Sequence, residues 1–241
     1  MGVNWNDVYV WVIIALSVTA IGGMVINGFE KTLPTIVVAV LTASVLDFLI
    51  DKFKGKTRFP YSAVISGLIV GSIVSFEDPL YIPFFASALA IISKHILKYK
   101  VYHTVNPATF GMLASFLIFS RFDSWWGAVP YLIPFLAIIA WKIKKLHIAI
   151  SFLVVFFVLS YFTGNVRLQS LNDLLGLPYY LAFIMAVEPK TTPIVRNQQI
   201  VFGMSLAVLS VLLMFVARMP YAIFISLLVM NLFFFIYRMR R

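Results

Sequence analysis

From Val8 to Tyr237 the chain is a succession of apolar runs, most about as long as a bilayer core is thick, joined by short polar connections. A helix rising about 1.5 Å per residue needs roughly 20 residues to cross a core of about 30 Å. In hydrocarbon every backbone N–H and C=O must be satisfied internally, which leaves only helices or closed barrels. Barrel strands would alternate apolar and polar positions over about ten residues; these runs are continuous and longer. The chain therefore reads as an all-α polytopic membrane protein. Of its 241 residues only 12% are charged and 62% are hydrophobic, against roughly 25% charged in soluble domains. Ten segments are predicted, near residues 8–28, 33–50, 60–76, 81–97, 105–120, 125–141, 146–162, 176–188, 199–216 and 219–237. The eighth is too short to span as drawn. No basic stretch precedes the first run and no small-residue cleavage site follows it, so no signal peptide is expected.

The net charge of +10 invites a nucleic-acid reading, but the cations sit between the spans, where the positive-inside rule already puts them. With ten spans, the termini and even-numbered loops share a side. That side holds fifteen Lys and Arg, whereas the opposite side holds only Lys31, Arg121, Arg167 and Arg218. The split predicts a protein of the cell (inner) membrane with both termini cytoplasmic, in contact with lipid and not with nucleic acid. The single membrane domain, 1–241, divides into two repeats, about 1–122 and 123–241. SGLIVGSIVSFEDP at 66–79 and YYLAFIMAVEP at 179–189 each end in acid-Pro, and a Pro-opened segment follows each, at Asn106-Pro107 and Met219-Pro220. Five spans is an odd number, so the two repeats would be inverted.

Two polar islands stand out against this background. The first, KHILKYKVYHTVNPATFG from Lys94 to Gly111, gathers Lys94, His103, Asn106, Pro107 and Thr109. Asn before Pro is a good helix N-cap; the same N-terminus offers free N–H groups to an anion or carbonyl. Lys94, at the end of a span, suits snorkelling or a cation facing a phosphate or reduced cofactor. The second island, Glu188-Pro189-Lys190-Thr191-Thr192-Pro193, reads as a turn or re-entrant stretch in which Glu188, Thr191 and Thr192 supply charge and hydroxyls. Asp47 is a further intramembrane ionisable residue. Ser66, Gly67 and Gly71 form a small-residue stripe that suits close helix packing or approach to a flat ligand. Trp125 and Trp126 read as interfacial belt anchors. With three histidines, no cysteine and no paired acid spacing, no metal site is expected.

Taken in order, SGLIVGSIVS, AIISKHIL, NPATFGM, KKLHIAISFL, FIMAVEPKTTP and RNQQIVFG resemble one group. It is the homologous membrane component of two enzymes, RnfD of the Rnf ferredoxin:NAD oxidoreductase and NqrB of the sodium-pumping NADH:quinone reductase. The resemblance runs from about residue 60 to the end and implies ten helices in two inverted five-helix repeats, a fold similar to that of urea transporters. Carried over by residue, it covers Lys94, Asn106, Pro107, Ala108, Glu188 (usually Asp in the group), Pro189, Thr191, Arg196 and Gly203. They would line or support a flavin region, with no catalytic role implied for any of them. The group attaches FMN to a Thr in an SGAT-like motif between spans five and six; here little more than Arg121 to Ser124 joins those spans. The resemblance therefore implies a noncovalent flavin, FMN or riboflavin, in an electron-carrying subunit of an oxidoreductase complex coupled to Na⁺ or H⁺ movement. Its partners would be the other subunits of such a complex or a soluble flavoprotein or ferredoxin donor, since no GxGxxG follows a strand here. The alternatives are a channel or transporter for a small polar solute, which the same fold permits, and a scaffold subunit without a ligand.

Overall fold

A computed structural model describes residues 8–56, 59–99, 102–163 and 178–240. The described chain is all-α apart from one two-stranded hairpin. Helices α1 (Val8–Asn27), α2 (Phe29–Phe53), α3 (Tyr61–Ile73) and α4 (Tyr81–Ile96) lead to strands β1 (Lys98–Tyr99) and β2 (Tyr102–His103). There follow α5 (Pro107–Phe119), α6 (Ile133–Lys142), α7 (Leu146–Phe162), a π-helical stretch Leu181–Met185, α8 (Arg196–Val211) with a π-helical continuation Leu212–Val216, and α9 (Ala222–Met239). Four of these, Val8–Asn27, Phe29–Phe53, Arg196–Val216 and Ala222–Met239, are long and apolar enough to cross a membrane; α3 to α7 are shorter apolar helices. Two compact units divide the chain, Met1–Ile96 with Phe110–Val129, and Leu97–Thr109 with Pro130–Arg241.

In the first unit α2 packs along α3 and α4, and α1 packs along α3. Small residues set the approach between α2 and α3. A Cβ on Gly67 would lie 2.6 Å from the Val40 Cα and 2.9 Å from the Ala39 carbonyl oxygen, and one on Gly71 would lie 3.0 Å from the Ile36 Cα. The stripe is therefore a packing device, and α2 fills the face of Gly67. Ser66 Oγ turns back to donate to the Ser62 carbonyl at 3.1 Å.

Two boundaries differ from expectation, each for a local reason. Helix α2 starts at Phe29, before its proline, because Gly28 at φ +93° breaks the run and then accepts from Thr32 N at 3.2 Å and Thr32 Oγ1 at 2.8 Å. Pro34 thus lies inside the helix. Helix α6 starts at Ile133 and not near 125, because the preceding residues cap α3. Ser124 N donates to the Ile73 carbonyl at 2.8 Å and Gly127 N to that of Ser72 at 2.9 Å. This reverses the expected role of the tryptophans. Trp125 and Trp126 are buried, and Trp126 lies over Gly23 and donates its Nε1–H to the Val74 carbonyl at 2.9 Å.

In the second unit α7 packs along α8, α8 along α9, and the stretch Leu181–Met185 against α6 and α7. The predicted eighth segment survives as residues 178–180 and that π-helical stretch; residues 176–177 fall outside the described chain.

Gly67→Val should lower the thermal midpoint in detergent by an amount equivalent to roughly 1–3 kcal/mol of overpacking. Gly55→Ala is the comparison: nothing lies within 4 Å of its Cβ position, so only its left-handed backbone, worth about 1 kcal/mol, should register.

Candidate functional site

The second unit brings the two polar islands together. Its starting point is the hairpin, where Lys98 pairs with His103 and Tyr99 with Tyr102, closed by Thr104 N donating to the Leu97 carbonyl at 3.0 Å. It delivers Asn106 to the head of α5. The Asn106 Oδ1 accepts from Thr109 N and from Thr109 Oγ1, both at 3.0 Å, which is the predicted cap with Pro107 at the first helical position. The other groups of Asn106 reach further along the chain. Its Nδ2 donates to the Met185 carbonyl at 3.2 Å, and its backbone N–H donates to Asn231 Oδ1 at 2.9 Å. Asn106, Thr109 and Asn231 are all buried.

The Met185 carbonyl is available because the residue four positions on is Pro189, which has no N–H to donate. Just before it the chain is π-helical, with Ala186 N bonded to the Leu181 carbonyl, five residues back, at 2.8 Å. Glu188 follows, half-buried. Its carbonyl accepts from Thr192 Oγ1 at 2.6 Å, and its Oε2 accepts from Thr191 Oγ1 at 3.2 Å. Both threonines are buried. Their hydroxyls fold the island onto itself, which leaves the Thr192 and Pro193 carbonyls facing other partners.

Those partners carry no signal of their own in the sequence. Helix α6 ends with Lys144 in the left-handed region at φ 59°. Lys145 N returns to the Ala140 carbonyl and Lys144 N to that of Trp141, each at 2.9 Å, the double bond pattern of a Schellman ending. This turn carries Lys145 inward, where it is buried. Its ammonium donates to the Thr192 carbonyl at 3.4 Å and to the Pro193 carbonyl. Arg238 of α9 donates from Nη2 to the same Thr192 carbonyl at 3.0 Å, with its guanidinium 4.0 Å from the Tyr102 ring centroid and 4.8 Å from that of Phe234. Gln199 of α8, also buried, donates to the Lys144 carbonyl at 2.9 Å and to that of Ile194 at 3.0 Å. Burial, and then the nearby Arg238 charge, pull the Lys145 ammonium down to about 8. Among the described residues, Gln199 Oε1 and Asn231 Nδ2 are buried here without a protein partner.

The remaining predicted residues are placed differently. His103 is buried on β2. Arg196 opens α8 and is exposed, so Gln199 is the residue of that segment that turns inward. Lys94, Ser66 and Gly67 belong to the first unit. There Lys94 does not snorkel: it is buried, with Nζ 2.8 Å from Asp47 Oδ1. His95 Nε2 lies 2.7 Å from the same oxygen, and its Nδ1 lies 3.2 Å from Lys54 Nζ. An ammonium can only donate, so Lys54 fixes Nδ1 as acceptor and Nε2–H as donor to Asp47. Among the described residues no group of three or more potential metal ligands is present.

A family model described as the NQR2, RnfD, RnfE family matches residues 2–130 and 124–238. The chain belongs to that family of multi-pass membrane subunits of Rnf and Nqr electron-transport complexes. A comparison with curated proteins finds no match.

Asn106→Ala should remove the cap and leave the Met185 carbonyl unsatisfied, costing roughly 2–4 kcal/mol in all. Asn106→Ser keeps a capping oxygen but cannot span to Met185, and should cost about half as much in the same detergent unfolding assay. Lys145 gives a pH signature. Its folded value near 8 lies below the ordinary lysine value of about 10.4, so between these values the unfolded chain binds more protons. Stability should therefore rise as pH increases from about 8 towards 10, and a thermal midpoint that stays flat in Lys145→Met would assign the slope to this side chain.

Proposed function

We propose that the chain is the flavin-binding, electron-carrying membrane subunit of an Rnf- or Nqr-like complex, with FMN or riboflavin held noncovalently in the second unit. Electrons pass within or across the membrane to or from partner subunits or a soluble flavoprotein or ferredoxin, with Na⁺ or H⁺ movement as the coupled output. In this reading the chain crosses the inner membrane ten times as two inverted repeats, with both termini cytoplasmic.

The observation that carries the reading is the meeting of the two polar islands, through Asn106 on the Met185 carbonyl just before the second island and through Arg238 between Tyr102 and Thr192, in a family of electron-transport subunits. The residues fit a flavin in their donor set. An isoalloxazine edge presents carbonyl acceptors and an imide donor; Asn231 Nδ2 is a buried donor and Gln199 Oε1 a buried acceptor, both without protein partners among the described residues. When bound, the flavin supplies the redox chemistry. The chain's own residues supply orientation and a dry surround. Asn106 and Thr109 hold the head of α5 in place, the hydroxyls of Thr191 and Thr192 fix the turn after Met185, and the Lys145 and Arg238 charges favour an anionic ligand. No SGAT-like motif offers a threonine for covalent attachment, so the flavin leaves on denaturation.

The test is the visible spectrum of the purified protein, before and after acid precipitation. Flavin absorption that moves to the supernatant is expected, with occupancy at least several-fold lower in Asn106→Leu and Thr191→Val. Colour retained in the pellet would overturn noncovalent binding. Colourless protein after incubation with FMN, riboflavin and FAD would overturn the electron-carrier reading.

A further inference from the structure

Lys145 and Arg238 are two cations that meet on a carbonyl. Lys145 Nζ and Arg238 Nη2 share one acceptor, the Thr192 carbonyl, at 3.4 and 3.0 Å. Among the described residues neither forms an ion pair; the pairs there join Asp47 with Lys94 and His95, and Asp78 with Arg121. The Glu188 carboxylate, on the same island, accepts from Thr191. A buried ammonium solvated by carbonyl dipoles alone is a costly arrangement, and a second cation on the same oxygen adds repulsion. Among the described residues no carboxylate relieves that repulsion, yet specific geometry creates it. The left-handed Lys144 turns Lys145 inward, and the Tyr102 and Phe234 rings hold the guanidinium in place.

Both side chains keep unused donors. An ammonium has three N–H groups and a guanidinium five in a planar fork. At Lys145 two are directed to Thr192 and Pro193, and at Arg238 one is directed to Thr192. A point charge beside a planar fork, both positive, matches a small multiply charged oxyanion with tetrahedral oxygens.

We propose that Lys145 and Arg238 form a phosphate site, which takes the phosphate group of a bound ligand and neutralises the pair. The chemistry is that of an organic phosphate, and two sources carry it in a membrane protein: the phosphate of FMN or the headgroup of an anionic lipid. Only the first source rests on the flavin reading above.

The experiment compares FMN with riboflavin, which differ only by the phosphate, in flavin-fluorescence titrations of the full-length protein in detergent. In parallel, phosphatidic acid is compared with phosphatidylcholine for its effect on the thermal midpoint. The variants are Lys145→Gln and Arg238→Gln, with Lys142→Gln, an exposed lysine of α6, as comparison. FMN binding at least about tenfold tighter than riboflavin, with the preference abolished in Lys145→Gln and Arg238→Gln and retained in Lys142→Gln, is the expected result. Absence of flavin binding with a Lys145-dependent rise in midpoint on adding phosphatidic acid would support the phosphate site and remove the flavin reading. Equal binding of FMN and riboflavin, with no advantage of phosphatidic acid over phosphatidylcholine, would overturn the site and leave the flavin reading standing. Failure of both flavins and both lipids would overturn the two together. The FMN-to-riboflavin ratio needs no variant, so a misfolded substitution does not remove the test.

Discussion

The side chain of Asn106 ties the second unit together. A single amide caps α5 through Thr109, reaches the Met185 carbonyl, and sits on a residue whose N–H is taken by Asn231. In water each of these bonds would contribute about 1 kcal/mol. Buried among apolar side chains, the cost of leaving any of the groups unpaired is the larger quantity, so the network is either complete or disruptive. That all-or-none character lets three distant stretches of a mostly hydrocarbon chain adopt one register. The threonine pair beyond Met185 extends the same logic, since each hydroxyl is consumed locally and the Thr192 and Pro193 carbonyls are released to the two cations.

The first unit solves the equivalent problem with charge. Asp47 is buried on α2 and accepts from both Lys94 and His95 of α4. Desolvating such a pair is expensive, and the Coulomb attraction offsets much of that only when geometry is good; removing one member leaves a buried charge and costs about 3–5 kcal/mol. The pair is therefore better regarded as a register pin between α2 and α4 than as a source of net stability. Small residues along α3 then bring the helix backbones close enough for dispersion to act where no hydrophobic drive separates protein from lipid.

Much of this is legible in the sequence because its signals are local. The cap at Asn106-Pro107-Ala108-Thr109 needs only four residues, the glycine stripe only one helix face, and the apolar runs only their length. The turn at Glu188 to Pro193 is legible for the same reason. What escapes are residues whose role depends on a distant partner. Lys145 and Arg238 look like ordinary loop and terminal cations because the positive-inside rule accounts for such residues without a partner. Their burial depends on a left-handed Lys144 and on a carbonyl some 47 residues away. Lys94 stands out in the sequence, but the carboxylate that holds it lies 47 residues earlier. Trp125 and Trp126 mislead because aromatic pairs beside a span usually sit at the interface, whereas here the segment folds back to close the end of α3. Gln199 carries no signal beyond being an amide in the first turn of a helix.

The π-helical turns leave an asymmetry in how the chain tolerates changes of length. A π-turn accommodates one residue more than the α-helix would place in the same rise. Within Leu212–Val216, where Ala217 N reaches back to Leu212, deletion of one residue lets the backbone close to ordinary pairing while the residues beyond keep their facing. The same deletion in the middle of α7 would rotate everything downstream by about 100° and expose its buried stripe to lipid. The stretch Leu181–Met185 has no such latitude, since all five of its residues are buried and Met185 accepts from Asn106, whereas none of Leu212–Val216 is buried. Two wide turns of the same length thus differ in kind: one is slack in the chain, the other a committed contact.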